Sequence, residues 1–340
     1  MRTLSKPSKA KCNLNLYTLF LLAAPEYVSC QRLAQILTDL SHDSINRFLV
    51  RERYTPADLF ASVKQRIQLE GGTLSGDDTV LDKPYSDPKK TAFVDYFWSG
   101  KHKKVVKGLN LITLYYSDPN GIAVPVNYRL NDKGDGKTKH DYFREMLAEV
   151  MGWGLKPAVI TADSWYACVE TLTLLKHQEW GFLFAIESNR LVALETGLYV
   201  PVESLAIPPS GLLVQLKQVG VVKLFRTVFK DADRHYILFL PDATRLETFT
   251  EAQFKRLHDQ HWGIEQFHRA VKQVCNIERF HVRDRDAIQT HIFSALSAFV
   301  QLECQRAAGA ILNWYAVKRN LFNPLIASFI QDHLAQLADV

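Results

Sequence analysis

The five cysteines, at 12, 30, 168, 275 and 304, contain no C-x2-C pair and no metal-ligand spacing, which excludes a cysteine-held metal. Their odd number and scatter point to reduced thiols in a cytoplasmic protein. The apolar run LYTLFLLAA at 16–24 is too short to cross a bilayer. No small-residue cleavage site follows its basic flank convincingly, so it reads as a core helix and membrane partners are not expected. The loop NDKGDGKTK lacks G-x4-G-K-[ST] and is no P-loop. Internal repeats and low-complexity segments are missing. So is a strong net charge: +5 would not identify a nucleic-acid binder by itself.

What is present suits a folded chain of two or three domains. Its 340 residues are 47% hydrophobic and 11% aromatic, enough for a large core, and the 23% charged residues are ordinary for a globular protein. The charge is unevenly placed. From Lys89 to Lys107 six lysines, among them Lys101, Lys103 and Lys104, face a single acid, Asp95, with Phe93, Tyr96, Phe97 and Trp98 interleaved. Such a segment suits a phosphate backbone, and it suits a solvated hairpin nearly as well.

Residues 1–70 read as helical. A helix over about 31–37, a polar turn and a second helix capped by Ser41 or Asp43, with Ile45, Phe48 and Leu49 buried, resemble a helix-turn-helix. His42, Ser44, Asn46 and Arg47 would then face a DNA groove; an ordinary helical hairpin is the plain alternative. After Gly71-Gly72 the texture turns to strands at 79–81, 105–117 and 122–130, the last two joined by a DPNG turn. A helix at 140–152, a buried strand PAVITAD, a helix from about Ala167 to His177 and a strand at 181–188 follow. Residues 190–245 alternate apolar and polar and read as inserted antiparallel strands. Thr250 and Gln253 form a capping box that starts a long helix, and further helices fill 284–340.

That long helix carries HDQHWGIEQFHRAVKQ at 258–273. At about 100° per residue, His258, His261, Glu265 and Lys272 fall within about 60° of one another. Two further acids lie where strands would present them: Asp78 in GDDTVLDKP and Asp163 at the end of AVITAD. Converging at the edge of an open sheet, Asp78, Asp163 and Glu265 would hold two divalent cations through hard oxygen ligands, a site for in-line phosphoryl displacement. Singly, each has a plainer role, as a turn residue, a helix cap and a surface charge.

The strings DDTVLDKP, SGKHKKVVKGLNLITL, DGKTKHDYFREML, ADSWYA and HWGIEQFHRAVKQ, in this order over most of 71–305, resemble bacterial insertion-sequence transposases of the DDE superfamily. The branch is the one with a β insertion and a Tyr-Arg-Glu-Lys signature. The resemblance implies an α/β fold: a ribonuclease-H-like mixed sheet flanked by helices, with an antiparallel β insertion at 190–245 and a helical N-terminal domain at 1–70. The core would be 71–189 and 246–310, followed by a helical segment at 311–340. It implies Asp78, Asp163 and Glu265 as the metal-binding catalytic triad, Asp77 being the less favoured first member, and two Mg2+ ions per site with Mn2+ able to substitute.

It also implies cut-and-paste transposition. Water activated between the ions cleaves one strand, and the freed 3′-hydroxyl attacks a second strand or the target. The partners would be double-stranded DNA, as terminal inverted repeats and target, and a second copy of the chain on paired ends. The protein would be nucleoid-associated when bound. An endonuclease on the same fold without strand transfer, and a defective end-binding copy, are the rivals.

Three features depart from the family. His258 and His261 stand where Tyr and Arg grip phosphates beside Glu265 and Lys272, and histidine lacks arginine's permanent bidentate charge. No tryptophan lies between Gly181 and His261, where relatives that cut through a DNA hairpin stack a flipped base; Tyr199, Phe225, Phe229 or Tyr236 would have to substitute. TLSG before Asp77 is less apolar than a central strand should be.

Overall fold

The computed structural model describes residues 11–25, 28–195, 197–230 and 232–338. Helices α1 (Leu14–Ala23), α2 (Cys30–Ile36), α3 (His42–Arg51) and α4 (Pro56–Val63) come first. Strands β1 (Thr73–Asp82), β2 (Asp95–Ser99), β3 (Lys104–Ser117) and β4 (Ala123–Leu130) lead to α5 (Lys139–Gly152), β5 (Val159–Ala162), α6 (Val169–His177) and β6 (Phe182–Ile186). Next are β7 (Leu191–Ala193), β8 (Tyr199–Pro201), β9 (Leu212–Leu216), β10 (Gly220–Phe229) and β11 (Ala232–Phe239). Helices α7 (Ala243–Glu247), α8 (Glu251–Gln273), α9 (Arg285–Ala307) and α10 (Ala316–Ala338) complete the chain.

The chain divides into two compact units. One joins the residues up to Leu59 with Val80–Leu109 and those from Phe267 onward; the other joins Phe60–Thr79 with Asn110–Gln266.

The first unit is built around α9, which buries Ile288, Ile292, Leu296, Phe299 and Leu302 together with the small Ala295 and Ala298. A helix apolar on all sides needs neighbours on all sides, and α1 and α3 pack on it. Polar groups inside are paired: the Tyr17 hydroxyl lies 2.9 Å from His291 Nδ1, and Thr290 donates to the Glu52 carbonyl. Asn276 caps the end of α1 by donating to the Leu21 and Ala24 carbonyls. The expected helical pair is present as α2 and α3, with the Ser41 side chain accepting from the Ser44 amide and Ile45, Phe48 and Leu49 buried. Ser44 departs from expectation. It is 6% exposed, and its hydroxyl accepts from the Lys11 and Cys12 amides, so it ties down the preceding chain instead of facing a groove.

The second unit holds a mixed sheet. β1 pairs with β5 in parallel, Thr73 against Val159 through Gly76 against Ala162, and β5 pairs with β6 in parallel. β4 runs antiparallel on the second half of β3. The sheet order β3-β1-β5-β6-β11-β10-β9-β7-β8 carries the inserted antiparallel strands on the β6 side. This is the ribonuclease-H-like sheet with a β insertion that the motif strings implied. A core of Val159, Leu183, Phe225, Leu238, Leu246 and Phe254 joins the insertion to the start of α8. There the reciprocal Thr250–Gln253 capping box forms as expected.

β1 begins at Thr73, six residues before the strand legible in the sequence. The polar TLSG segment is buried because its hydroxyls are satisfied. Thr73 Oγ1 donates to Gln260 Oε1 at 2.6 Å, and Ser75 accepts from Thr161 at 2.9 Å. Gly76 has no room for a Cβ, which would overlap the Phe143 ring of α5.

Candidate functional site

Strand alternation divides β1 between two helices. Its odd residues face α8: Thr73 reaches Gln260, and Ser75 is linked through Thr161 to His261 Nδ1, 3.0 Å from Thr161 Oγ1. Its even residues face α5, with Gly76 under Phe143 and Asp78 beside Lys139. Successive strand side chains leave opposite faces, so Asp77 belongs to the α8 side and Asp78 to the α5 side.

Asp78 is engaged by the protein on both oxygens. Its Oδ1 accepts from the Lys139 ammonium at 2.8 Å and from the Tyr166 hydroxyl at 3.0 Å, and its Oδ2 from the Asn110 amide. A carboxylate has about four lone-pair sites, and three donors occupy most of them. None of Lys139, Tyr166 and Asn110 was singled out in the sequence. Only the position of Lys139 and Tyr166 inside the strings KHDYF and ADSWYA, which carry the family resemblance, hinted at them.

The parallel register ends with Gly76 against Ala162, and Asp77 and Asp163 are the residues that follow in the two segments. Asp163 follows β5 directly and caps the short turn Ser164–Tyr166, accepting from the Trp165 amide at 3.1 Å. Its carboxyl is pushed up to about 7 by burial first, then by the charges of Asp77 and Asp78, against the pull of Lys139. Tyr166, buried under the same acids, is raised well above the ordinary tyrosine range by desolvation and by Asp78 and Asp77. Negative charge is therefore concentrated where the middle of β1 lies beside the C-terminal end of β5.

Glu265 is exposed on α8, one turn beyond His261, and its charge reaches Tyr236 of β11. Among the described residues, no three acid, histidine or cysteine side chains stand close enough to hold one metal ion. Asp78, Asp163 and Glu265 therefore do not form a closed three-ligand group. The donor set that is present, hard carboxylate oxygens where β1 and β5 lie side by side within the sheet, suits Mg2+ or Mn2+ in chemical type.

The rest of the α8 stripe is engaged by the protein. His258 Nε2 lies 3.1 Å from the Tyr236 hydroxyl, and His261 is tied to the sheet through Thr161. In the other unit, the Lys272 ammonium donates to the Val80 carbonyl at 2.6 Å and pairs with Glu278 at 3.1 Å.

Of the aromatics named for base stacking, Phe225 is 1% exposed and stacked on Phe254 at 4.5 Å, so its face is already covered. Tyr236 is half-buried against His258, Tyr199 is 37% exposed, and the Phe229 side chain lies outside the described residues. Trp165, which the sequence reading passed over, is 59% exposed beside Asp163.

In the first unit, β2 and β3 form a hairpin. Lys101 and His102 at its turn reach back to Asp82, at 3.5 and 2.9 Å, while Lys103 and Lys104 are exposed. On α3, His42, Asn46 and Arg47 are exposed.

A family model described as a transposase DDE domain matches residues 77–300. No curated protein matches the sequence. Among solved structures, the chain is similar to a piggyBac transposase in a synaptic complex with hairpin DNA. That likeness has a TM-score of 0.53 and 13% identity, over 94% of this chain and 71% of that one. It is a likeness of fold. A Drosophila P element transposase in a strand transfer complex matches at a TM-score of 0.29 and 11% identity, over 57% of this chain and 41% of that one. A Mos1 transposase from a pre-cleavage transpososome matches at 0.20 and 12%, over 54% and 61%.

Proposed function

Because the chain belongs to the transposase DDE domain family, we propose that it cuts and joins phosphodiester bonds at the ends of an insertion sequence, in cut-and-paste transposition. The observation that carries this reading is the parallel pairing of β1 and β5, which puts the Asp77-Asp78 pair in the middle of β1 next to Asp163 just after β5, with Glu265 on the helix α8.

Asp163 and Glu265 are two of the proposed catalytic acids. For the first, the sequence motif points to Asp78, but the geometry favours Asp77. Asp78 is held on the α5 side by Lys139, Tyr166 and Asn110, while Asp77, whose Oδ1 accepts from the Asp78 amide at 2.7 Å, belongs to the α8 side of β1, and its charge is the first to act on Asp163. Two Mg2+ or Mn2+ ions held by Asp77, Asp163 and Glu265 would supply Lewis-acid stabilisation of the phosphate and a more acidic water.

The chain's own groups do the rest. Asp78, fixed by three donors, keeps the middle of β1 and the Ser164–Tyr166 turn in register, as outer-shell partners do for ligating groups. The Ser75–Thr161–His261 chain sets the height of α8, and with it Glu265, above the sheet. DNA contacts are proposed for the exposed Lys103 and Lys104, for Asn46 and Arg47 on α3, and for His258 and His261 beside the acids. Lys101 and Lys272 would have to release Asp82 and Glu278 to join them. A phosphate backbone is the natural partner of such groups. Double-stranded DNA at paired ends would bring two copies of the chain together.

Cleavage of a labelled duplex bearing the element's terminal repeat, with Mg2+ or Mn2+, tests the reading. End-specific cutting by wild type and none by Asp163→Asn supports it, and joined products separate a transposase from a nuclease. Specific binding without cutting would favour a defective end-binding copy.

A further inference from the structure

Trp165 is a large apolar side chain left 59% exposed two residues from Asp163. An exposed indole on a loose loop would be unremarkable. This one is held on both sides by the acids. Its own amide donates to Asp163 Oδ1 at 3.1 Å, and the hydroxyl of the next residue, Tyr166, donates to Asp78 at 3.0 Å. Tyr166 is itself fully buried against Phe143, ring centres 4.5 Å apart. The backbone that carries the indole is therefore locked to the acid pair.

The start of α5 adds two neighbours. The His140 ring lies parallel to the indole at 6.0 Å, and the Lys139 ammonium is 4.9 Å from its centre. Both come from one helix end, and more than half of the indole stays open to solvent. A flat aromatic face, a nearby cation and a fixed distance to crowded acids match one ligand chemistry: an unpaired nucleobase whose phosphate lies at the acids.

We propose that Trp165 is a base-stacking residue of this site, binding an unpaired base of DNA next to the phosphate that the acids address. The proposal rests on the reading of the acids as a DNA-cleaving centre. In its terms, the indole holds the strand's register at the acids, and Lys139 and His140 support the face of the ring turned away from the base.

The probe is a 20-base-pair duplex with a short single-stranded extension and 2-aminopurine at the junction, bound to the full chain without divalent ion. Wild type and Trp165→Phe should quench the 2-aminopurine. Trp165→Leu, which keeps apolar bulk without a flat face, should not, and should bind the junction about 5- to 100-fold more weakly. Binding to the fully paired duplex should be unchanged. Equal quenching by Trp165→Leu, or an equal loss on the fully paired duplex, would overturn the stacking role. Wild type that nicks DNA while Trp165→Leu behaves identically sinks only this proposal. Wild type that neither binds nor cuts any DNA removes the reading beneath it.

Discussion

The Tyr166 hydroxyl donates to Asp78 Oδ1 at 3.0 Å, on the same oxygen that takes the Lys139 ammonium. A carboxylate committed in this way orients its neighbours, while the adjacent acid on the other face of β1 is placed toward Asp163.

The two acids should therefore separate in kinetics. Asp77→Asn and Asp163→Asn should each lower end cleavage by about a thousandfold or more, the scale of several kcal/mol of transition-state charge stabilisation. Asp78→Asn should cost about 10- to 100-fold, as outer-shell changes do. Single-turnover cleavage of a labelled repeat measures both. A deeper loss for Asp78→Asn than for Asp77→Asn would return the first position to Asp78.

Tyr166→Phe removes one donor and leaves the ring packed on Phe143. A hydrogen bond to a charged group is worth about 1.5–3 kcal/mol. Cleavage should fall roughly tenfold by the outer-shell scale, with the circular dichroism spectrum retained. Full activity in Tyr166→Phe would show that Asp78 needs only Lys139 and Asn110.

One of the bridges from sheet to α8 runs through a single hydroxyl, since Thr161 contacts both Ser75 and His261. Thr161→Val should destabilise by about 1–3 kcal/mol, because buried polar partners lose their match. In a double-mutant cycle with His261→Ala the two changes should be coupled by about 0.5 kcal/mol or more. Denaturant unfolding reads this directly, and additive effects would mean that the bridge contributes nothing.

His291 is fully buried against Tyr17, and its pKa is lowered to about 3 by desolvation, then by the charge of Lys83. Below about pH 6.5 the unfolded chain binds a proton that the folded one refuses. Stability should be complete above that pH and fall as the pH drops toward 3, by at most about 1.4 kcal/mol per unit from this group. Melting curves at pH 7.5 and pH 5 should diverge for wild type and draw together for His291→Gln. An equal pH difference in both proteins would place the acid sensitivity elsewhere.

Gly76 tests the packing beneath the acids. A Cβ there would overlap Phe143, so Gly76→Ala should cost about 1–3 kcal/mol by overpacking. A neutral effect in thermal unfolding would mean that α5 can move away from β1.

Local pattern by itself determined the order of elements here. The alternation in VVKGLNLITLYYS, the apolar VITA run and the Thr250–Gln253 box each act within a few residues, where chain geometry alone relates side chain to backbone. The acids at 163 and 265 were legible in the same way, as residues that follow a strand or lie along a helix stripe. Tertiary structure decided the rest. TLSG is strand because Gln260 and Thr161, far off in the chain, satisfy its hydroxyls. Ser44 is buried because it holds the chain before α1. The placement of Asp77 and Asp78 on opposite sides of β1 also lies outside local reading. Adjacent residues of one strand face different helices, and only the packing of α5 and α8 says which face carries three donors and which meets the second acid.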